Sequence, residues 1–473
     1  MKPIEFYDTR TRRQRPFESL EPGHVGIYTC GPTVYAPQHV GNLRCFLVAD
    51  LLRRFLESEG FEVTHVINIT DVGHLVSDAD QGEDKVEAAA RRAGQTAEEI
   101  AEHFTAQWRS DCAAVNCLPP THNPKASEHI AEQIELGQKL EAGGYLYRIR
   151  DGIYFDTSRF PRYAELAGLD LHGQEEGARI GITEGKRNPA DFAVWKFSEA
   201  GVKRLQEWDS PWGRGFPGWH LECSAMSVRY LGDRFDIHTG GIDLATVHHT
   251  NEVAQSECAY HVHPWVGFWM HHEHLNMGDE KMSKSKGVTR TLSDLTAKGF
   301  EPLAFRYFFL QAHYRQQQTY NEEAIRAAAN GLRHLRSIVK GLEAVEEEGD
   351  PEAQAPYAER FHDALADDLR TPRAMAVVWE VARSDALAAA DRRDLLRRFD
   401  RILGLDLAGG AVAPAEPEWG SDPGIDARVR ARQAAREARD WAEADRVRDE
   451  LAAEGIEIID GADGSRWRRR PGG

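Results

Sequence analysis

The fold is decided by the stretch Val25-Gly26-Ile27-Tyr28-Thr29-Cys30-Gly31-Pro32 and, a few residues later, by His39-Val40-Gly41-Asn42. The first stretch is apolar and ends at a Gly-Pro pair, so it predicts a buried strand that stops at a turn. Apolar residues then recur at helical spacing over residues 46–56, and Gly60 ends the predicted helix. A second strand pattern occupies residues 63–69. Strand, helix and strand in this order form the unit of a parallel α/β sheet.

The rest of the chain predicts further parts around this α/β unit. We expect a Rossmann-like parallel-sheet domain over residues 1–315, interrupted by an insertion at about residues 113–205. Residues 316–406 are dominated by Ala, Leu, Arg and Glu and predict an α-helical bundle. Residues 407–424 are rich in Pro, Gly and Ala and predict a linker. Residues 425–473 predict a small α+β domain, with one charged helix through about Glu454 and then a short strand.

The composition excludes several classes of protein. The 473 residues carry a formal net charge of −18, which argues against a general affinity for nucleic acid. Residues 425–473 hold eleven arginines and eleven acidic residues, so residues 1–424 carry all of this charge, and local arginine clusters could still bind nucleic acid. Because no apolar run reaches the length of a membrane span or a signal peptide, we expect a soluble cytoplasmic protein. Six cysteines are too few for a disulfide scaffold and are interpreted as reduced thiols or metal ligands.

Two short motifs point to a nucleoside triphosphate. His39-Val40-Gly41-Asn42 lies between the first strand and the first helix, where α/β sheets bind nucleotides and a helix N-terminus attracts phosphate. About 240 residues later, Lys281-Met282-Ser283-Lys284-Ser285 can place two positive charges on a triphosphate as pyrophosphate leaves. Each motif alone also has a plain reading, as a structural loop histidine or a solvated charged loop. The common nucleotide motifs, GxGxxG after a strand and Walker A, are absent from the sequence.

Four scattered side chains could hold one metal ion: Cys30, Cys223, His248 and Glu252. His248 and Glu252 are four residues apart, so on a helix they share one face. Cys30 ends the first strand and therefore lies near the nucleotide motif. Two sulfurs, one nitrogen and one oxygen suit tetrahedral Zn²⁺. The spacing alone leaves open whether the cysteines are zinc ligands or small buried hydrophobic residues.

The two nucleotide motifs, in this order, resemble the HIGH and KMSKS signatures of class I aminoacyl-tRNA synthetases. With the contexts of the metal candidates added, nearly the whole chain resembles the cysteinyl-tRNA synthetase family. The segments that carry this resemblance are Tyr28-Thr29-Cys30-Gly31-Pro32-Thr33-Val34-Tyr35, Asn68-Ile69-Thr70-Asp71, Trp212-Gly213-Arg214-Gly215-Phe216-Pro217-Gly218-Trp219-His220 with Cys223, His238-Thr239-Gly240-Gly241-Ile242-Asp243, and residues 436–469.

The resemblance implies a role for individual residues. It implies that the catalytic residues are His39, Asn42, Lys281 and Lys284. It implies that ATP is bound by His39, Gly41, Asn42, Gly240, Gly241, Asp243 and Lys284. It implies that cysteine is bound by Gly31, Thr70 and Trp219, and that one zinc ion is bound by Cys30, Cys223, His248 and Glu252.

The resemblance also implies a two-step reaction. Cysteine and ATP, accompanied by Mg²⁺, give cysteinyl-adenylate and pyrophosphate, and the acyl group then passes to the 3′ end of tRNA(Cys). The zinc would select the thiol, because a free thiol has a pKa of about 8.5 whereas an alcohol stays protonated. Residues 425–473 resemble a small anticodon-binding domain, and the chain is expected to be a monomer without a membrane partner.

Three departures from the family pattern and three alternatives accompany this interpretation. Asn42 replaces the last histidine of HIGH, Thr250 replaces the middle acid of His-His-Glu-Asn-Glu, and Asp71-Val72-Gly73-His74 replaces a more acidic stretch. One alternative is a mycothiol-type ligase that joins cysteine to an amino sugar, which would not need residues 425–473. The others are a non-catalytic nucleotide- or RNA-binding relative and a zinc-stabilised α/β protein with unrelated chemistry.

Overall fold

The computed structural model describes residues 2–72, 75–77, 81–168, 184–198, 204–276, 291–409, 422–437, 440–454, 456–461 and 464–469. The chain forms two compact units, Met1–Ala408 and Gly409–Gly473. No helix in these ranges combines the length and the apolar character that crossing a membrane requires.

The first unit mixes strands and helices throughout its described part. Its strands are β1 Glu5–Asp8, β2 Arg13–Pro16, β3 His24–Thr29, β4 Glu62–Ile67, β5 Leu75–Ser77, β6 Gln81–Asp84, β7 Leu146–Ile149, β8 Gly152–Phe155, β9 Phe192–Phe197, β10 Gly215–Pro217, β11 Phe235–Gly241, β12 Val266–His272, β13 Leu275–Asn276 and β14 Gln318–Thr319. Its helices are α1 Val40–Ser58, α2 Lys85–Ala93, α3 Ala97–Ala114, α4 Ile130–Ala142, α5 Trp219–Leu231, α6 Ile242–Thr246, α7 His248–Tyr260, α8 Leu292–Ala297, α9 Pro302–Leu310, α10 Glu322–Leu342, α11 Pro351–Ala366, α12 Thr371–Ala382 and α13 Ala389–Leu403.

A four-stranded parallel sheet in the order β12-β11-β3-β4 lies at the centre of this unit. Strands β3 and β11 are buried along nearly their whole length, as expected for inner strands of a sheet covered on both faces. The predicted strand, helix and strand are confirmed as β3, α1 and β4. Because parallel strands end at the same edge, the carboxyl ends of β3, β4 and β11 lie together, and the polar segments that follow these strands meet there.

The first unit has two further parts, one between β4 and β11 in the sequence and one after the central sheet. Strands β7 to β10 form a second, antiparallel sheet in the order β10-β9-β8-β7. Helices α10 to α13 follow strand β14 and pack against one another and against α9. Apolar side chains such as Leu332, Leu365 and Leu396 lie in this core, each with an exposed fraction of 0%. The α/β fold class with an added helical part is confirmed, whereas the boundaries of the individual domains stay predictions.

A buried ion pair joins several of these elements. The Arg306 guanidinium on α9 donates to Asp50 Oδ2 on α1 at 2.5 Å, and also to the backbone oxygens of Leu403 and Val115. The Asp50 carboxylate in turn accepts from the backbone N–H of Leu118 at 2.7 Å. Both charged side chains are at least 98% buried, so this pair depends on the complete set of hydrogen bonds around it.

The second unit is described as two helices and a hairpin. Helices α14 Pro423–Glu437 and α15 Trp441–Ala453 precede strands β15 Ile456–Gly461 and β16 Gly464–Arg469, which pair antiparallel. The prediction of one charged helix through about Glu454 is wrong. Helix α14 ends at Glu437 and α15 begins at Trp441, and the Asp440 side chain accepts from Glu443 N and caps α15. An N-terminal cap of this kind inside a helical charge pattern begins a new helix.

Candidate active site

A cavity of about 770 Å³ opens at the carboxyl edge of the central sheet. Its wall comes from the segment after β3, the start of α1, the segment after β4, and helices α5, α6 and α7. The lining includes most of the predicted site residues, namely Cys30, Gly31, His39, Gly41, Asn42, Thr70, Trp219, Cys223, Gly241, Asp243 and His248. A volume of this size accommodates a nucleotide-sized ligand.

The nucleotide motif forms the start of α1. His39 is the N-cap residue, and its Nδ1 accepts from the backbone N–H of Asn42 at 3.3 Å. The Asn42 side chain donates to Gln38 Oε1 at 2.8 Å. A Cβ at Gly41 would lie 2.9 Å from His39 Nδ1, so this position needs glycine if the histidine is to keep its orientation. The positive end of α1 therefore faces the cavity with these side chains around it.

Of the other residues predicted to contact ATP, some lie at the cavity and some lie outside the described part of the chain. Gly241 and Asp243 line the cavity at the end of β11 and the start of α6. Gly240 lies beside them in β11, where a Cβ would lie 2.5 Å from the imidazole of His249. Lys281 and Lys284 lie outside the described residues, so their roles stay predictions.

The four metal candidates come together at the base of the cavity. Cys30 follows β3, Cys223 lies on α5, and His248 and Glu252 occupy one face of α7. Their ligand atoms all lie within 4.8 Å of one another. Cys223, His248 and Glu252 are at least 98% buried. Three parts of the chain that are distant in the sequence thus place two sulfurs, one nitrogen and one oxygen around a common point.

The charges of this cluster depend on mutual contacts. Burial raises the pKa of the Cys30 thiol, and its hydrogen bond with Cys223 raises that pKa further. For Cys223, burial raises the pKa, but the hydrogen bond from Cys30 and the adjacent His248 outweigh burial and lower the pKa to about 6. One thiolate is therefore favoured between the two sulfurs. Burial raises the pKa of Glu252, but His238 and His248 outweigh burial and lower it to about 2.

A second group of side chains supports the first. Cys30, His238, His249 and Glu252 also have ligand atoms within 4.8 Å of one another. However, His238 Nε2 already contacts Glu252 Oε2 at 3.0 Å, and His249 Nε2 contacts Cys30 Sγ at 3.2 Å. Neither histidine belongs to the lining of the cavity, whereas Cys30, Cys223 and His248 do. The first group therefore presents three of its four residues to the cavity, whereas the two histidines contact the group from outside the cavity lining.

The donor set fits a zinc ion. Ligand atoms of a tetrahedral zinc site lie roughly 3–4 Å apart, given metal–ligand distances of about 2.0–2.3 Å. His248 Nε2 and Glu252 Oε1 are 3.0 Å apart, and Cys30 Sγ and Glu252 Oε1 are 3.9 Å apart. A buried cluster of two thiols, a carboxylate and an imidazole has the chemistry of a site for a divalent cation with affinity for sulfur.

The three residues predicted to bind cysteine, Gly31, Thr70 and Trp219, line the same cavity as the metal candidates Cys30, Cys223 and His248. Gly31 approaches the segment after β4 so closely that a Cβ would lie 1.5 Å from the backbone oxygen of Asn68. The ring of Trp219 packs against His248 at an interplanar angle of 33°, with centroids 4.3 Å apart. Thr70 is 3% exposed, and its hydroxyl donates to the Glu222 carboxylate. Thr70 and Trp219 thus present a hydroxyl and an aromatic ring beside the metal candidates.

Several residues of the site are not predicted by the sequence. Glu222, His249 and His271 support residues of the cavity wall from elements that the sequence does not place together. Lys85 lines the cavity near the ring of Tyr35, at 5.8 Å from its centroid. For Glu222, the only sequence signal was its position next to a candidate ligand, Cys223. For Lys85, the sequence contained no such signal.

Comparisons with known proteins agree with this geometry. The family model for the class I (C) catalytic domain of tRNA synthetases matches residues 16–330, and the model for the cysteinyl-tRNA ligase anticodon binding domain matches residues 420–468. The sequence is 47% identical to cysteine–tRNA ligase 1 of Burkholderia lata, covering 98% of this chain and 96% of that protein. It is 42% identical to cysteine–tRNA ligase of Deinococcus radiodurans, covering 98% and 97%.

Among solved structures, Mycobacterium tuberculosis methionyl-tRNA synthetase in complex with methionyl-adenylate superposes with a TM-score of 0.55. The superposition covers 81% of this chain and 90% of that one, at 17% sequence identity. At this identity the likeness concerns the fold alone.

Proposed function

The chain belongs to the cysteine–tRNA ligase family of class I aminoacyl-tRNA synthetases, and we propose that its buried four-ligand cluster holds the zinc ion that selects cysteine. The chain is an enzyme that uses ATP to join cysteine to tRNA. One observation carries the zinc proposal. The ligand atoms of Cys30, Cys223, His248 and Glu252 converge beside the cavity that is lined by the start of α1.

In the first step, the cysteine carboxylate attacks the α-phosphate of ATP, forming the mixed anhydride while pyrophosphate leaves. No covalent bond to the enzyme forms, so positioning and charge stabilisation supply the catalysis. We assign this work to His39 and Asn42 at the N-terminus of α1, and to Lys281 and Lys284. Gly41, Gly240, Gly241 and Asp243 are assigned to ATP binding, with Mg²⁺ accompanying the nucleotide. In the second step, the acyl group passes to a hydroxyl at the 3′ end of tRNA(Cys) and AMP leaves.

The choice of cysteine over serine needs more than pocket shape, because one small group in an apolar pocket discriminates by only about 1–3 kcal/mol. Zinc in the cluster would bind the substrate sulfur as thiolate and gain little from a serine hydroxyl. The chain's own contribution is to bury the ligands, to present one cysteine as thiolate, and to leave the ligand set open toward the cavity. Gly31, Thr70 and Trp219 are assigned to the amino-acid end.

The C-terminal unit favours tRNA over an amino sugar as the acceptor. Residues 420–468 match the anticodon-binding family model, and a cysteine:amino-sugar ligase has no use for such a segment. We propose that residues 425–473 bind the anticodon region, that residues 1–315 form the catalytic domain, and that residues 316–406 form a helical bundle joined by a linker at 407–424. The enzyme is proposed to act as a cytoplasmic monomer.

The test is exchange of radioactive pyrophosphate into ATP, together with charging of total tRNA, by the full-length protein. With cysteine, both reactions should proceed. With serine, exchange should fall by about a thousandfold or more, and the purified protein should contain about one zinc per chain. Exchange with cysteine but attachment to an amino sugar rather than tRNA would overturn the tRNA assignment. Equal exchange with serine, or a protein without zinc that still discriminates, would overturn the zinc proposal.

A further inference from the structure

Glu222 is a buried carboxyl group next to the proposed cysteine pocket. It is 1% exposed and lies on α5, immediately before Cys223. Its Oε1 accepts a hydrogen bond from the Thr70 hydroxyl and lies 3.5 Å from Asn68 Nδ2. Its Oε2 is buried and has no hydrogen-bond partner among the described residues. Burial of a carboxyl group is costly, so a group kept here serves a purpose that an apolar side chain would not.

The contacts of Glu222 join three segments of the cavity wall. Asn68 donates from Nδ2 to Thr70 Oγ1 at 3.1 Å, and its Oδ1 accepts from the backbone N–H of Gly31 at 2.8 Å. Thr70 N–H donates to the backbone oxygen of Pro32 at 3.0 Å. The segments after β3 and after β4 are therefore tied to each other, and Glu222 ties the segment after β4 to the first turn of α5. Asn68, Thr70 and Gly31 line the cavity, whereas Glu222 is outside its lining.

These contacts fix the polarity of the Thr70 hydroxyl. A hydroxyl group has one hydrogen to donate and two lone pairs to accept with. The hydrogen is directed to Glu222, and one lone pair receives the Asn68 amide. The second lone pair is left for a donor in the cavity. An oxygen in this state favours a cationic donor such as an ammonium group and disfavours a carboxylate.

This inference rests on the proposed function of the cavity. We propose that Glu222 is a positioning residue, which holds the Thr70 hydroxyl so that its oxygen accepts a hydrogen bond from the α-ammonium group of cysteine. The metal cluster then recognises the sulfur of cysteine, and Thr70 recognises its ammonium group at a separate point. The carboxylate of the substrate stays free to attack ATP.

Steady-state pyrophosphate exchange by the full-length enzyme tests the proposal. Glu222→Leu fills the space without an acceptor, and the KM for cysteine should rise about ten- to a hundredfold, the effect of losing a hydrogen bond to a charged group, while the KM for ATP stays within about threefold. Glu222→Gln keeps a carbonyl oxygen for Thr70 and should restore most of the affinity. Thr70→Val should match Glu222→Leu, and the double variant should be no weaker than either single variant. Ser227→Ala, a buried hydroxyl on the same helix, is the control and should leave both KM values unchanged.

Two fragments of cysteine, used as inhibitors of the exchange reaction, separate positioning from a purely structural role. Cysteamine keeps the ammonium group and lacks the carboxylate, so its inhibition constant should rise in Glu222→Leu as the KM for cysteine does. 3-Mercaptopropionate lacks the ammonium group, and its inhibition constant should not change. Zinc content and the circular dichroism spectrum should match the wild type.

Three results would overturn the inference: equal weakening of both fragments, a parallel rise in the KM for ATP, or multiplicative effects in the double variant. If Glu222→Leu does not fold, Thr70→Val and Glu222→Gln carry the same test. A wild-type enzyme that fails to exchange with cysteine would contradict the proposed function instead, so the two failures are distinguishable.

Discussion

Two buried polar clusters of the first unit, one around Asp50 and Arg306 and one around Cys30, Cys223 and Glu252, differ in how their polar groups are paired. Around Asp50 and Arg306, the two side chains pair with each other, and their backbone partners are Val115, Leu118 and Leu403, which belong to two different segments. Around Cys30, Cys223 and Glu252, acceptors converge on a common point that faces a cavity. A cluster whose polar groups are all paired within the protein stabilises the fold. A cluster of converging ligand atoms is instead expected to bind an ion or a substrate. The comparison predicts that the two clusters fail in different ways when they are mutated.

The largest effect is expected at the metal cluster. Cys223→Ser replaces a sulfur ligand with a weakly coordinating hydroxyl, so pyrophosphate exchange with cysteine should fall by about a thousandfold or more. Zinc content, measured on the purified protein, should fall with it, while the melting temperature should change little. Cys258→Ser is the control, because Cys258 is equally buried on α7 but lies outside the cluster, and its exchange rate should stay within about threefold of wild type. A Cys223→Ser enzyme with normal exchange would remove the basis for the comparison.

The second effect is one of stability. Asp50→Leu leaves the Arg306 guanidinium buried without its counter-charge, which should cost about 3–5 kcal/mol. The loss should appear as a lower urea midpoint, and the exchange activity per folded molecule should stay close to wild type. Adding Arg306→Met should recover part of the stability, since both charges are then gone. An Asp50→Leu protein with an unchanged midpoint would show that this pair does not hold the unit together.

The third effect concerns the outer support of the metal cluster. His249 Nε2 contacts Cys30 Sγ, and its Nδ1 contacts His271 Nε2 at 2.7 Å. His249→Gln should lower zinc affinity about ten- to a hundredfold, as outer partners of metal ligands commonly do, without a comparable change in stability. Competition with a chelator measures this. His263→Gln, away from the cluster, serves as the control; equal zinc affinity in both variants would place His249 outside the metal site.

The smallest effect is a pH dependence of the satisfied cluster. Burial raises the pKa of Asp50, but the charges of Arg306 and Arg54 and the hydrogen bond from Leu118 outweigh burial and hold that pKa below its usual value. The stability that this shift contributes is present above the pKa of an unfolded aspartate, about 3.9, and is lost as pH falls through the lower folded value. The difference in urea midpoint between wild type and Asp50→Asn should therefore narrow between pH 6 and pH 3. A difference that widens toward low pH would contradict the assignment.

The sequence predicted the parts of the fold that local patterns determine. The apolar run before Cys30, the helical spacing after His39 and the second strand were sufficient to place β3, α1 and β4. The break between α14 and α15 was missed, because a capping residue such as Asp440 looks like any other acidic residue in a charged segment. The four metal candidates were named from their contexts, since spacing over more than 200 residues contains no information on proximity.

What the sequence could not supply is the pairing of side chains across elements. Glu222 meets Thr70, and His249 meets His271, only because the strands of the sheet end and helices α5 and α7 begin at the same edge. Such contacts follow from the packing of segments far apart in the chain. The roles of Lys281 and Lys284 stay predictions from the motif, since both lie outside the described residues.

The central claim, that the cluster recognises cysteine through its sulfur, is tested most directly by X-ray absorption at the zinc edge. The full-length enzyme should show two sulfur ligands at about 2.3 Å without substrate, from Cys30 and Cys223, and three after addition of cysteine. Serine should leave the count at two. An unchanged sulfur count with saturating cysteine would contradict the account and would make the zinc a structural ion.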